Sequence, residues 1–166
     1  MRIIRLFRGE RSQAVLEFAF IAPFLLLFIF ILVDTGLGLS RWINVTNAAR
    51  EGARYGVVGH SYSEIVCRTI AKSEGLLGDA DTCALSSKAR VKVNWEDANT
   101  NGVLGDGGDS VMVQVEYDYA LITPIGSLLK LFGGSGISAN IPLESCADMR
   151  LDAGAPVDVR DNIRCN

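Results

Sequence analysis

A twenty-residue apolar run, Ala14–Val33, interrupted by one carboxylate and one proline, constrains this chain more than any other part of it. Twenty residues at about 1.5 Å rise make a helix of roughly 30 Å, the thickness of a bilayer's hydrocarbon core. Fifteen of the twenty are Val, Ile, Leu or Phe. At about −0.3 to −0.6 kcal/mol each on insertion scales they outweigh the single acid, Glu17, at roughly +2.5 to +3.5 kcal/mol. Pro23 would break a soluble helix, but a membrane helix tolerates it because neighbouring groups re-satisfy the freed carbonyl, so a mild kink is expected there. Four arginines, Arg2, Arg5, Arg8 and Arg11, precede the run, and Asp34 is the first charge after it. The positive-inside rule then sets the N-terminus in the cytoplasm and residues beyond about 36 outside.

Past the membrane some 130 of the 166 residues remain, enough for one small domain with its own core. The chain has a formal charge of −3, of which residues 1–12 carry +3 and the rest −6, so no basic face for nucleic acid is evident. All four cysteines, Cys67, Cys83, Cys146 and Cys165, fall on the expected outer side, where an oxidising compartment permits disulfides. Four cysteines allow three pairings. Short loops close most readily, which favours Cys67 with Cys83 and Cys146 with Cys165. A zinc site is disfavoured, since there is no CxxC and the one histidine is His60.

From Ser40 to Val58 the sequence remains helix-compatible, with Trp42, Val45, Ala49, Gly52, Ala53 and Gly56 at three- and four-residue steps. The membrane helix is therefore expected to continue outward. Its outer stripe is small-sided and lets another element approach the backbone closely. That element is either the protein's own domain or, in an assembly, a neighbouring helix. Ser61 and Glu64 form an S-x-x-E capping box opening a second helix over about Tyr62–Glu74 that stops at Gly75, with Ile65, Val66 and Ile70 facing the core. Alternation over Ala89–Trp95 and again over Val111–Tyr119 predicts two strands forming a hairpin. A short helix is expected between Thr123 and Gly133, and a third strand over about Ala139–Leu151, where Pro142 implies an edge or a bulge. The last fifteen residues lack periodicity, and Cys165 is what would tie them down. The fold class is thus α+β: a long N-terminal helix, half in the membrane, packed through its outer half on a small antiparallel sheet with short helices. The expected organisation is a basic leader over 1–12, the long helix over 13–58 with its span at 14–33, and an extracytoplasmic domain over 59–166.

Ahead of the apolar run stands Gly9-Glu10-Arg11-Ser12-Gln13-Ala14-Val15-Leu16-Glu17-Phe18, and after it Asn47-Ala48-Ala49-Arg50-Glu51-Gly52-Ala53-Arg54-Tyr55-Gly56. Together these resemble the TadE-like family, pseudopilins of the tight-adherence (Tad, Flp-type) pilus machinery, over about residues 8–56. A weaker likeness runs from Gly108 to Tyr119 and through Thr123-Pro124. The resemblance implies a prepilin peptidase that cuts after Ser12 and leaves Gln13 as the new N-terminus, with Glu17 fifth. A cut after Gly9 would put Ala14 fifth and lose the acid. The implied partners are that peptidase, other pilins and pseudopilins, and an inner-membrane assembly platform. The implied location is the bacterial inner membrane, single-pass, with the C-terminal domain periplasmic. The chemistry is coherent: an α-amine with a pKa of about 8 is mostly protonated at neutral pH, and at the low-dielectric edge of the bilayer Glu17 can neutralise it. The simpler role for Glu17 is to favour the positive helix N-terminus or to snorkel toward Arg11.

Two other classes stay open: a TadE-like protein that remains anchored, and a secreted binding domain with an ordinary signal peptide cut near Gly36-Leu37-Gly38. Asp97-Ala98-Asn99-Thr100-Asn101-Gly102 matches the first half of an EF-hand loop. The twelfth position is Gly108 instead of a bidentate glutamate, so a polar hairpin loop explains the composition better than a calcium site. Asn44-Val45-Thr46 spells a glycosylation sequon, but in a helix beside the membrane it is discounted. No nucleophile elbow, Walker loop or histidine-paired nucleophile is present. Neither an enzyme nor a cofactor is expected.

Overall fold

The computed structural model describes residues 10–124, 140–152, 154–157 and 161–165. Helix α1 runs over Glu10–Val57 with Pro23 inside it, and α2 over Tyr62–Ala71. A two-stranded ribbon follows, β1 (Gly78–Asp79) with β2 (Ala84–Leu85), and then β3 (Ala89–Glu96), β4 (Ser110–Ala120) and β5 (Asn140–Arg150). The three long strands form an antiparallel sheet in the order β3-β4-β5. The expected α+β arrangement of a long helix, a short helix and a small antiparallel sheet is what the chain adopts. The β3–β4 hairpin sets Val91 opposite Val115 and Val93 opposite Val113, and β5 takes the edge that Pro142 requires. The short helix expected over 123–133 lies outside the described residues beyond Pro124, as does most of the leader.

Two compact units can be distinguished, Met1–Leu37 with Leu121–Ile137, and Gly38–Ala120 with Ser138–Asn166. In the second, one core holds Val45, Ala48, Ala49 and Ala53 of α1, Ile65 and Ile70 of α2, and Val91, Val93, Trp95, Val111, Val113 and Val115 of the sheet. The small-sided stripe of α1 is where the sheet and α2 seat. A Cβ on Gly52 would lie 2.2 Å from the Thr69 hydroxyl, and one on Gly56 would lie 3.0 Å from Val111 and 3.1 Å from Ile65. Of the two elements the stripe was expected to admit, the protein's own domain occupies it. Trp42, placed on that stripe by spacing, is 47% exposed; the residues that cover the stripe meet it further along, at Gly52 and Gly56.

Helix α2 opens as its sequence predicts: the Glu64 carboxylate accepts from the Ser61 N–H at 2.9 Å and from its hydroxyl at 2.8 Å. Those bonds hold Glu64 below the usual carboxylate range. The helix ends at Ala71, three residues short of expectation, because Ser73 is spent on a turn. Its buried hydroxyl donates to the Ile70 carbonyl at 2.7 Å and accepts the Leu77 N–H at 3.1 Å. Disulfides join Cys67 to Cys83 and Cys146 to Cys165, with Cα separations of 4.8 and 5.5 Å.

The C-terminal segment, aperiodic in sequence, is fastened to the free edge and outer face of β3. Asp161 donates its N–H to the Val93 carbonyl at 2.9 Å and accepts the Val93 N–H at 3.0 Å, satisfying both edge groups of that residue. Asn94 donates its amide to the Ile163 carbonyl at 3.0 Å. Asn94 and Met112, opposite one another in the sheet, are buried together with Ile163.

Candidate functional site

The N-terminal half of α1 offers the candidate site. Gln13–Phe20 are exposed throughout, and from Val15 to Val33 most large apolar side chains stand about half open or more, with Phe24 at 74%. A helix this long and apolar, left open by the described residues, is of the length and composition to cross a membrane. Glu17 lies in this stretch with its side chain exposed and, among the described residues, without an ion-pair partner. The helix begins at Glu10, so Ser12 and Gln13 fall in its first turn, where the backbone N–H groups have no intrahelical acceptor. Sequence position puts Gln13 one turn before Glu17, on the same side.

At the far end of the apolar run stands Asp34, which sequence reading treated only as the first charge beyond it. It is buried, 5% exposed. Its Oδ1 accepts the N–H of Ile122 at 3.1 Å and of Thr123 at 3.4 Å, and its Oδ2 accepts the Thr123 hydroxyl. Only a long-range fold contact joins residues nearly ninety positions apart, and no local sequence signal announces it.

The segment Ala48–Arg54 divides cleanly by side-chain size. Ala48, Ala49, Gly52 and Ala53 face the core, while Arg50 and Arg54 face solvent. Arg54 reaches Glu51 at 3.3 Å, an exposed pair contributing about 0–1 kcal/mol. This part of the helix is a seat for the sheet.

Residues 13–54 match the family model described as TadE-like protein. The long helix is TadE-like. The match covers the apolar run, Glu17 and the small-sided seat, and stops at Arg54, three residues before the helix does. No curated protein and no solved structure matches the chain. A TadE-like segment on an apolar N-terminal helix points to a Tad-pilus-related membrane protein.

The Asp97 loop is closed on itself. The Asp97 carboxylate accepts the N–H groups of Asn101 at 3.1 Å and Gly102 at 2.8 Å. The Asn99 and Asn101 amides turn their nitrogens toward Asp106, and Asp109 accepts the Gly105 N–H at 2.7 Å. With amide nitrogens presented inward, no group of three or more His, Cys, Asp or Glu converges to hold a metal among the described residues.

Proposed function

We propose that this chain is a pseudopilin or minor pilin of a Tad-type pilus or secretion apparatus, cut after Ser12 by a prepilin peptidase and assembled through its N-terminal helix. The observation that carries this reading is the TadE-like match, which starts at Gln13, the residue such a cut would expose. Cleavage there removes less than one turn of α1, at the end of the helix where unwinding breaks the fewest hydrogen bonds. The new ammonium on Gln13 and the Glu17 carboxylate then lie near one another at the low-dielectric edge of the bilayer. Because Glu17 faces outward, it can serve the ammonium of a neighbouring copy displaced along the axis. In this reading an amine held by a carboxylate in a dry setting sets the register of assembly, since either charge left alone there is costly. The partners are the peptidase, other pilins and the inner-membrane platform, with residues 59–166 on the periplasmic side.

Mass spectrometry of the native N-terminal peptide tests it. Gln13 supports processing, Met1 supports a permanent anchor, and Leu39 supports secretion after a signal-peptidase cut near Gly36–Gly38. The last outcome is disfavoured because α1 runs unbroken through those glycines, whereas a protease needs its substrate extended.

A further inference from the structure

Asp34 closes the apolar run with a bond that assembly through Glu17 does not use. A carboxylate at the end of a membrane span would ordinarily reach for water or headgroups, yet this one is buried against the Ile122 and Thr123 N–H groups and the Thr123 hydroxyl. The clamp holds the turn Leu121–Pro124 beside the last residues of the run. On that turn Ile122 is 68% exposed, although a large apolar side chain fixed in the open gains nothing from water. The last apolar residues of the run, Ile29, Ile31, Leu32 and Val33, are open to between 45 and 55%. Hydrocarbon is what covers such side chains when the run spans a bilayer, and the Asp34 bonds hold Ile122 at the end of that run. A run of twenty residues ends at Val33, so Asp34 falls where the hydrocarbon core gives way to a headgroup layer of about 5–7 Å on each side. An apolar side chain carried there on a satisfied backbone partitions into the boundary between headgroups and acyl chains.

We propose that the Leu121–Pro124 turn is an interfacial anchor: Asp34 holds it against the end of the span so that Ile122 enters the lipid headgroup boundary. This rests on the membrane-spanning reading of α1, and the test separates the two. The full chain is reconstituted in phosphatidylglycerol–phosphatidylethanolamine vesicles with an environment-sensitive fluorophore on Ile122→Cys or, as a span control, on Phe24→Cys. Because all four native cysteines are paired, the introduced thiol is the one labelled. Expected is a blue-shifted probe at 122 that loses most of its emission to lipids brominated near the carbonyls and little to aqueous iodide, with the probe at 24 quenched by bromines deep in the chains. In an Asp34→Ala background the probe at 122 becomes open to iodide. Iodide quenching at 122 with deep lipid quenching at 24 overturns the anchor and leaves the span standing. Iodide quenching at 24 overturns the span itself. Shielding of 122 from both quenchers means that protein, not lipid, covers it, and an unchanged signal in the Asp34→Ala background removes Asp34 as the clamp; either result overturns the proposal.

Discussion

Two residues of α1 carry the sharpest consequences, for opposite reasons. Glu17 touches nothing that holds the fold together among the described residues, so Glu17→Ala should leave membrane insertion and melting temperature unchanged. Incorporation of the protein into a pilus complex should be lost, and co-purification of the variant with sheared pili at the normal level would refute the assembly role. Gly52 is the reverse, all packing. A methyl there meets the Thr69 hydroxyl at 2.2 Å, and that hydroxyl is fixed on the Ile65 carbonyl at 2.8 Å in a fully buried site. Overpacking of about 1–3 kcal/mol exceeds the gain of up to about 1 kcal/mol in helix propensity. Gly52→Ala should therefore lower the melting temperature, and adding Thr69→Ala should recover part of the loss. A Gly52→Ala variant more stable than the parent would contradict so close an approach of α2.

The C-terminal strap is the element whose contribution can be isolated. Its covalent tie, Cys146–Cys165, spans 19 residues, and a loop of that size is worth about 3 kcal/mol. The Cys146→Ser, Cys165→Ser double variant should unfold at correspondingly lower denaturant, with the Val93 amide among the first to gain hydrogen exchange. A second tie is Tyr62, whose hydroxyl donates to Asp161 at 3.0 Å. Burial, then that hydrogen bond and the nearby carboxylate charge, pushes the Tyr62 phenol up to about 12 from an ordinary value of 10.0. A raised phenol favours the neutral form in the fold. The stability it confers is fully present below pH 10 and is lost as pH rises through about 12. Tyr62→Phe should abolish this alkaline drop in a series of melts across that window, and a drop of unchanged size would assign it elsewhere. At the other end of the scale the Lys92 ammonium, hydrogen-bonded to Glu116, holds that carboxyl below the usual range. Its contribution is present above the ordinary carboxylate value and fades as pH falls through the lowered one.

For the whole molecule, the basic leader and the proposed span fix sidedness, which predicts that a cysteine at exposed Val103 is labelled by an impermeant maleimide from the periplasmic side while the inner membrane is intact. Labelling that requires lysis would reverse the topology. Much of this protein was legible in its sequence because periodicity is a local property. An apolar run of membrane length, small residues at three- and four-residue steps, two alternating strands and a Ser61–Glu64 box each specify their own element without reference to the rest. Long-range pairing has no such local trace. The Asp161 contact with Val93 and the Asp34 clamp on the Ile122 turn each depend on partners that only the folded chain brings within hydrogen-bonding distance. The sequence alone determined which surfaces are apolar and at what period. Tertiary structure decided which of those surfaces were covered from within: the Gly52 face closed by Thr69 and the sheet, the Gln13–Val33 face left open, since burial depends on what arrives opposite a side chain and not on the side chain itself.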